Sequence, residues 1–112
     1  MFLTAIMSAS KVILIDNDTL MHQLWALSCK KKGLDFYAFF TVDEFLTSEH
    51  KTDLSCEVYI DFDLGNGLTG DQESKKLFDL GFESIILATG HHPSEIHQPQ
   101  WIKKIIGKRP PF

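Results

Sequence analysis

Asp16 with Asn17, Asp61, Thr89 and Lys108 share one sequence context: each follows a short apolar run, in "KVILID", "EVYID", "SIILAT" and "WIKKIIGK". Carboxylates and amide oxygens are hard ligands suited to Mg²⁺, an ion that keeps several waters and is commonly shared with phosphate oxygens. A carboxylate is also a nucleophile towards phosphorus. The transferring group spreads negative charge over its oxygens, so an ammonium, a hydroxyl and a metal are the partners it needs. Asp61 as nucleophile, Asp16 as metal carboxylate, and Thr89 and Lys108 as phosphoryl-oxygen partners make one complete set. Read locally, Asp61 and Asp63 also fit a second role, as acids capping the turns of the loop "FDLGNGLTG". Gly65, Gly67 and Gly70 in that loop read as turn residues at positive φ, and their spacing is not that of a P-loop. His91 and His92 could serve as a metal or proton-transfer pair, but read first as solvated loop residues.

These side chains act together only if the backbone gathers them. "KVILID" (11–16), "DFYAFF" (35–40), "CEVYID" (56–61), "SIILAT" (84–89) and "WIKKIIGK" (101–108) read as strands buried on one or both faces. Between the first two lies a helical pattern carrying Leu20, Leu24, Leu27 and Cys29, with Asp18 or Thr19 as N-cap and Gly33 past its end. Thr41 and Glu44 have capping-box spacing and open a second helix. A third, "DQESKKLFDLGF", turns Leu77, Phe78 and Leu80 towards the sheet and stops at Gly81. The two prolines of "GHHPSEIHQPQ" leave room for at most one helical turn. Strands alternating with helices imply a parallel sheet with right-handed crossovers and helices on both faces. In such folds ligands bind at the carboxyl ends of strands. That rule would bring Asp16, Asn17, Asp61, Thr89 and Lys108 to one edge.

Composition narrows the function classes. The 112 residues make one domain, read as a loose leader over 1–10 and a folded unit over 11–112. A net charge of −4 argues against a nucleic-acid partner. The basic clusters at 30–32 and in the last ten positions read as solvated edges. Cys29 and Cys56 show no metal-ligand or CxxC spacing and read as reduced thiols of a cytoplasmic protein. The opening "MFLTAIMSAS" is too short to span a membrane and lacks the basic start of a signal peptide, so no membrane insertion is expected.

The chain resembles the receiver domain of two-component response regulators over roughly residues 10 to 110. The motifs that carry the resemblance are "VILIDND", "YIDFDLGNGLTG", "IILATG" and "IIGKRPPF". "LATGHHP" and "WIKKIIGKRPPF" are similar, more narrowly, to the C-terminal receiver of some hybrid sensor histidine kinases. The resemblance implies a flavodoxin-like (βα)₅ fold, a doubly wound parallel five-stranded sheet, here with a short fourth helix and no final helix. It also implies that Asp61 is the phosphoacceptor in a His–Asp phosphorelay. Mg²⁺ would then be held by Asp16, Asn17, Asp61 and the backbone carbonyl of Asp63, with Thr89 as the switch hydroxyl and Lys108 as the ammonium. The partner implied is a sensor histidine kinase or phosphotransfer protein, and the domain would turn over no external substrate.

Three positions depart from that pattern. Asn17 stands where a second carboxylate is usual, and its missing charge predicts weaker Mg²⁺ binding. Ile105 replaces the expected aromatic switch residue. Nothing follows Phe112 to form the last helix, so one sheet face should be covered by the tail, the leader, a partner or a second copy, the last making a homodimer. These departures motivate an alternative, a pseudo-receiver that binds partners without using phosphate. "DFDLG" also fits the start of haloacid-dehalogenase-type phosphatases. That reading is weak, because a strand with its own acids precedes the motif and nothing acidic follows Lys108.

Overall fold

The computed structural model describes residues 10–112. Of the expected leader only Ser10, which is exposed, falls within them; the rest lies outside the described residues. Five strands form one parallel sheet: β1 (Lys11–Ile15), β2 (Asp35–Phe39), β3 (Glu57–Ile60), β6 (Ser84–Ala88) and β7 (Lys104–Ile106). Their spatial order is β2-β1-β3-β6-β7, the flavodoxin-like order expected. The apolar, largely β-branched runs explain the central strands, where residues 12–15, 58–60 and 85–88 are all buried.

Among the described residues three α-helices connect the strands. Helix α1 (Thr19–Lys31) begins where the Asp18 carboxylate accepts a 2.9 Å hydrogen bond from the amide of Leu20. Helix α2 (Val42–Leu46) is capped by Thr41 Oγ1, and the Glu44 side chain reaches back to the amide of Phe40, one residue earlier than in a standard capping box. Helix α3 (Gly70–Leu80) ends at Gly81, whose φ of 105° is open to glycine. Between β6 and β7 there is one 3₁₀ turn, Pro93–Glu95, as the two prolines predict.

Two hydrophobic clusters sandwich the sheet. On one face Ile13, Ile15, Val58, Ile60, Ile85 and Leu87 meet Val42 and Phe45 of α2 and Leu77 of α3. On the other, Val12, Leu14, Tyr59, Ile86 and Ala88 meet Trp25 and Cys29 of α1. Phe112 packs edge-on against Trp25 and Tyr59, so the tail covers part of the same sheet face as α1. No helix among the described residues is long and apolar enough to cross a membrane, and both cysteines are buried and unpaired.

Several expectations are corrected. Leu20, Leu24 and Leu27 are 63%, 42% and 61% exposed, because α1 turns the arc of Trp25 and Cys29 inward instead. Phe78 and Leu80 are half exposed; only Leu77 faces the sheet. The last strand spans three residues, not eight. Trp101 leaves the ladder to stack on Phe78 and to donate a 2.8 Å bond to Ser74 Oγ, which anchors the β6–β7 connection on α3. The loop after β3 is itself a hairpin, β4 (Asp63–Gly65) against β5 (Leu68–Thr69). Gly65, Asn66 and Gly67 turn it at positive φ.

Candidate functional site

Parallel pairing aligns Ile15 with Ile60, Ile60 with Leu87 and Ala88 with Ile106, so the residues after these strands emerge along one edge. Asp16 and Asp61 are 1% and 5% exposed there. The Lys108 ammonium lies between them, donating to Asp16 Oδ2 at 2.6 Å and to Asp61 Oδ2 at 2.9 Å. The other Asp16 oxygen accepts the amide of Asp18 at 2.8 Å, and its backbone carbonyl accepts from His22 Nε2. These contacts hold the first acid rigidly.

Two buried acids facing one ammonium leave an excess negative charge. Burial pushes the Asp61 carboxyl above its ordinary value, and the charge of Asp16 adds to this while Lys108 opposes it. Burial alone would pull the Lys108 ammonium down. The two carboxylates together outweigh that and leave it raised.

Asp61, Asp63, Thr89, Gly90, His91 and Lys108 line a cleft of about 290 Å³. Thr89 is buried in its wall and its Oγ1 accepts the amide of His91 at 3.1 Å. The Asp63 carboxylate points to the rim, 2.6 Å from His91 Nε2, and this bond raises the imidazole's pKa. Asn17 is exposed beside the hairpin: a Cβ on Gly65 would stand 3.2 Å from its Nδ2. The structure thus brings Asp16, Asp61 and Lys108 into contact, with Thr89 and Asp63 on the walls of the same cleft. Ile105 is half-buried, packs against the first hydrophobic cluster and lines a neighbouring hollow with Thr89, His91 and Lys108.

Whether Mg²⁺ fits is a question of donor chemistry. Among the described residues no three Asp, Glu, His or Cys side chains converge as a metal set. Asp16 and Asp61 supply two buried carboxylates and a surplus negative charge. A hard cation could complete its shell with the Asn17 amide oxygen, the Asp63 carbonyl and water, which is how Mg²⁺ is usually held. The residues fit.

Two participants escaped the sequence reading. Gly70 is not at positive φ; a Cβ there would lie 2.0 Å from the Asp61 carbonyl oxygen, and its amide donates to Phe62 O at 2.7 Å. The start of α3 is therefore pressed against the backbone of Asp61, an approach only glycine permits. The pairing of His91 with Asp63 was equally unreadable, since the two come from separate loops 28 positions apart.

No family model matches this sequence, and no curated protein matches it. Solved structures do share its fold, and several of them are response regulator receiver domains. A receiver domain protein (CheY-like) from Methanospirillum hungatei aligns with a TM-score of 0.71 and 18% identity, covering 90% of this chain and 82% of that one. The response regulator TrrA from Thermotoga maritima, solved with Mg²⁺ and BeF, gives 0.71 at 15% identity over 88% and 85% of the two chains. A response regulator from Burkholderia pseudomallei, solved with a phosphorylated aspartic acid and a calcium ion, gives 0.69 at 18% identity, covering 88% of this chain and 59% of that chain.

Proposed function

We propose that the chain is a phosphoacceptor receiver module of His–Asp phosphorelay signalling. The observation that carries this reading is the Lys108 ammonium shared by two almost fully buried carboxylates at the carboxyl edge of a parallel sheet. In the proposed reaction an Asp61 oxygen forms a bond to phosphorus. The bond from phosphorus to a histidine nitrogen of a sensor kinase or phosphotransfer protein breaks, and the nitrogen keeps the electron pair. Asp16, Asp61, Asn17 and the Asp63 carbonyl would hold Mg²⁺, which supplies charge neutralisation for the phosphoryl oxygens. Lys108 follows the charge, exchanging its Asp61 partner for a phosphoryl oxygen while keeping Asp16. The Thr89 hydroxyl donates to a second phosphoryl oxygen. Hydrolysis of the acyl phosphate resets the site, so the module turns over no external substrate.

The change in charge at this edge alters which partner binds. With the aliphatic Ile105 at this position, half-buried against the first hydrophobic cluster, the read-out does not use an aromatic rotamer on β7. The test is intact mass after incubation with acetyl phosphate and Mg²⁺, for the wild type and for Asp61→Asn. One added phosphoryl group, absent in the variant, is expected. No addition to the folded wild type would overturn the reading and favour the phosphate-independent interaction module. A homodimer belongs to the same proposal, and a concentration-independent monomer mass in light scattering would remove it.

A further inference from the structure

The position of Lys108 is harder to explain than its chemistry. β7 ends at Ile106, Gly107 follows, and Pro110 and Pro111 have no amide hydrogen with which to tie the chain down. Yet the ammonium must sit within 3 Å of two acids on other strands. Trp25, 1% exposed on α1, donates its indole N–H to the carbonyl oxygen of Lys108 at 2.9 Å. A buried indole N–H needs an acceptor, and this one finds it 83 residues away in sequence. On the far side of the two prolines Phe112 braces the same indole edge-on, with ring centroids 5.8 Å apart.

We infer that Trp25 is a positioning residue for Lys108, and that Phe112 closes the clamp. Helix α1 then works as a ruler. Asp16 stands just before its N-terminus, and Trp25 lies about two turns in. The acid and the backbone of its lysine are thereby set from one rigid element. The role in phosphoryl transfer rests on the receiver reading; the clamp itself does not.

The experiment uses Trp25→Phe, which keeps an aromatic ring in the cluster and removes the N–H. In the wild type the ¹⁵N-labelled Lys108 ammonium should give an ordered, slowly exchanging signal, identified by its loss in Lys108→Met. In folded Trp25→Phe that signal should broaden or vanish. Phosphorylation by acetyl phosphate should slow by about tenfold or more, as misplacement of a reacting group implies. A general structural role would lower the melting temperature and leave the ammonium signal intact in the folded fraction, and that result would overturn the proposal. If Trp25→Phe does not fold, Phe112→Ala, which leaves the N–H in place and removes the brace, should weaken the same signal; an unchanged signal there would equally overturn it. A wild type that takes no phosphoryl group would sink the receiver reading, while the ammonium signal would still report on the clamp.

Discussion

Lys108→Met should cost the protein about 3–5 kcal/mol at neutral pH, the loss typical of removing one partner from a buried ionic cluster. Asp16 and Asp61 would then face each other with nothing between them. The dependence on pH separates this from a loss of packing. In the wild type the raised pKa of Lys108 means that its stabilisation is complete below its ordinary value of 10.5. It is lost as pH rises through the higher folded value. Asp61 acts in the opposite sense. Its pKa is raised from 3.8, so ionising it costs stability above that pH, and the cost is relieved towards acid. Without the ammonium that cost grows, and the variant should lose stability as pH climbs from mild acid to neutrality. Urea unfolding at pH 5 and pH 7 measures the difference. A variant equally stable at both would show that removing the ammonium leaves no acid titrating between these pH values in the folded protein, against this expectation. Excess Mg²⁺ should restore part of the loss at pH 7, because a cation binding only the folded state stabilises it.

Gly70→Ala should be damaging for a different reason. Helix interiors ordinarily prefer alanine by about 1 kcal/mol. Here the new methyl would stand 2.0 Å from the Asp61 carbonyl oxygen and 3.2 Å from Leu87 Cδ1. Neither the strand nor the helix can retreat without breaking the bond from Gly70 N to Phe62 O. A destabilisation of about 3 kcal/mol, at the upper end for overpacking, is expected, with the Asp61 backbone displaced and, on the proposed function, phosphoryl uptake from acetyl phosphate lost. Gly67→Ala is the control. It lies in the same loop at φ 78°, with no heavy atom within 4 Å of the added carbon, and should cost about 1 kcal/mol for its backbone alone. Equal costs at the two glycines would mean that close approach to Asp61 does not matter.

The contrast between these glycines marks what a sequence can disclose. Gly67 follows Asn66 in a loop, and local turn chemistry suffices to explain it. The need for Gly70 comes from a strand end that reaches it only after folding. In the same way, apolar runs ending in acid, hydroxyl or amine were enough to mark the strands and to gather Asp16, Asp61, Thr89 and Lys108 at one edge, because parallel pairing alone does the gathering, while the flavodoxin-like fold came from the family resemblance. Helix α1 was legible as a helix, but its inner face was not. Its leucines, methionine and tryptophan are spread around so much of its circumference that spacing could not choose the inner arc. The choice went to Trp25, whose ring meets Tyr59 and Phe112 and whose N–H meets Lys108. Partners 34 to 87 positions away in the chain made that selection. Trp101 was drawn out of the last strand by another contact remote in sequence, the Ser74 hydroxyl on α3, 27 positions away.

The distance between Asp16 and Lys108 along the chain also sets an order of events. Their contact closes a loop of 92 residues, and the Trp25 clamp one of 83. Loop-closure entropy must be met before such contacts reward it, and long-range pairings therefore form late. β1, β2 and β3 can pair and bury the acidic corner while the ammonium is still on an unstructured strand. The half-built sheet would hold Asp61 in an interior that resists its charge, and its carboxyl would favour keeping a proton. Docking of β7 delivers the lysine and releases that proton. The last step of folding would then be a titration as well as a packing event, and because it releases a proton a rise in pH would favour it.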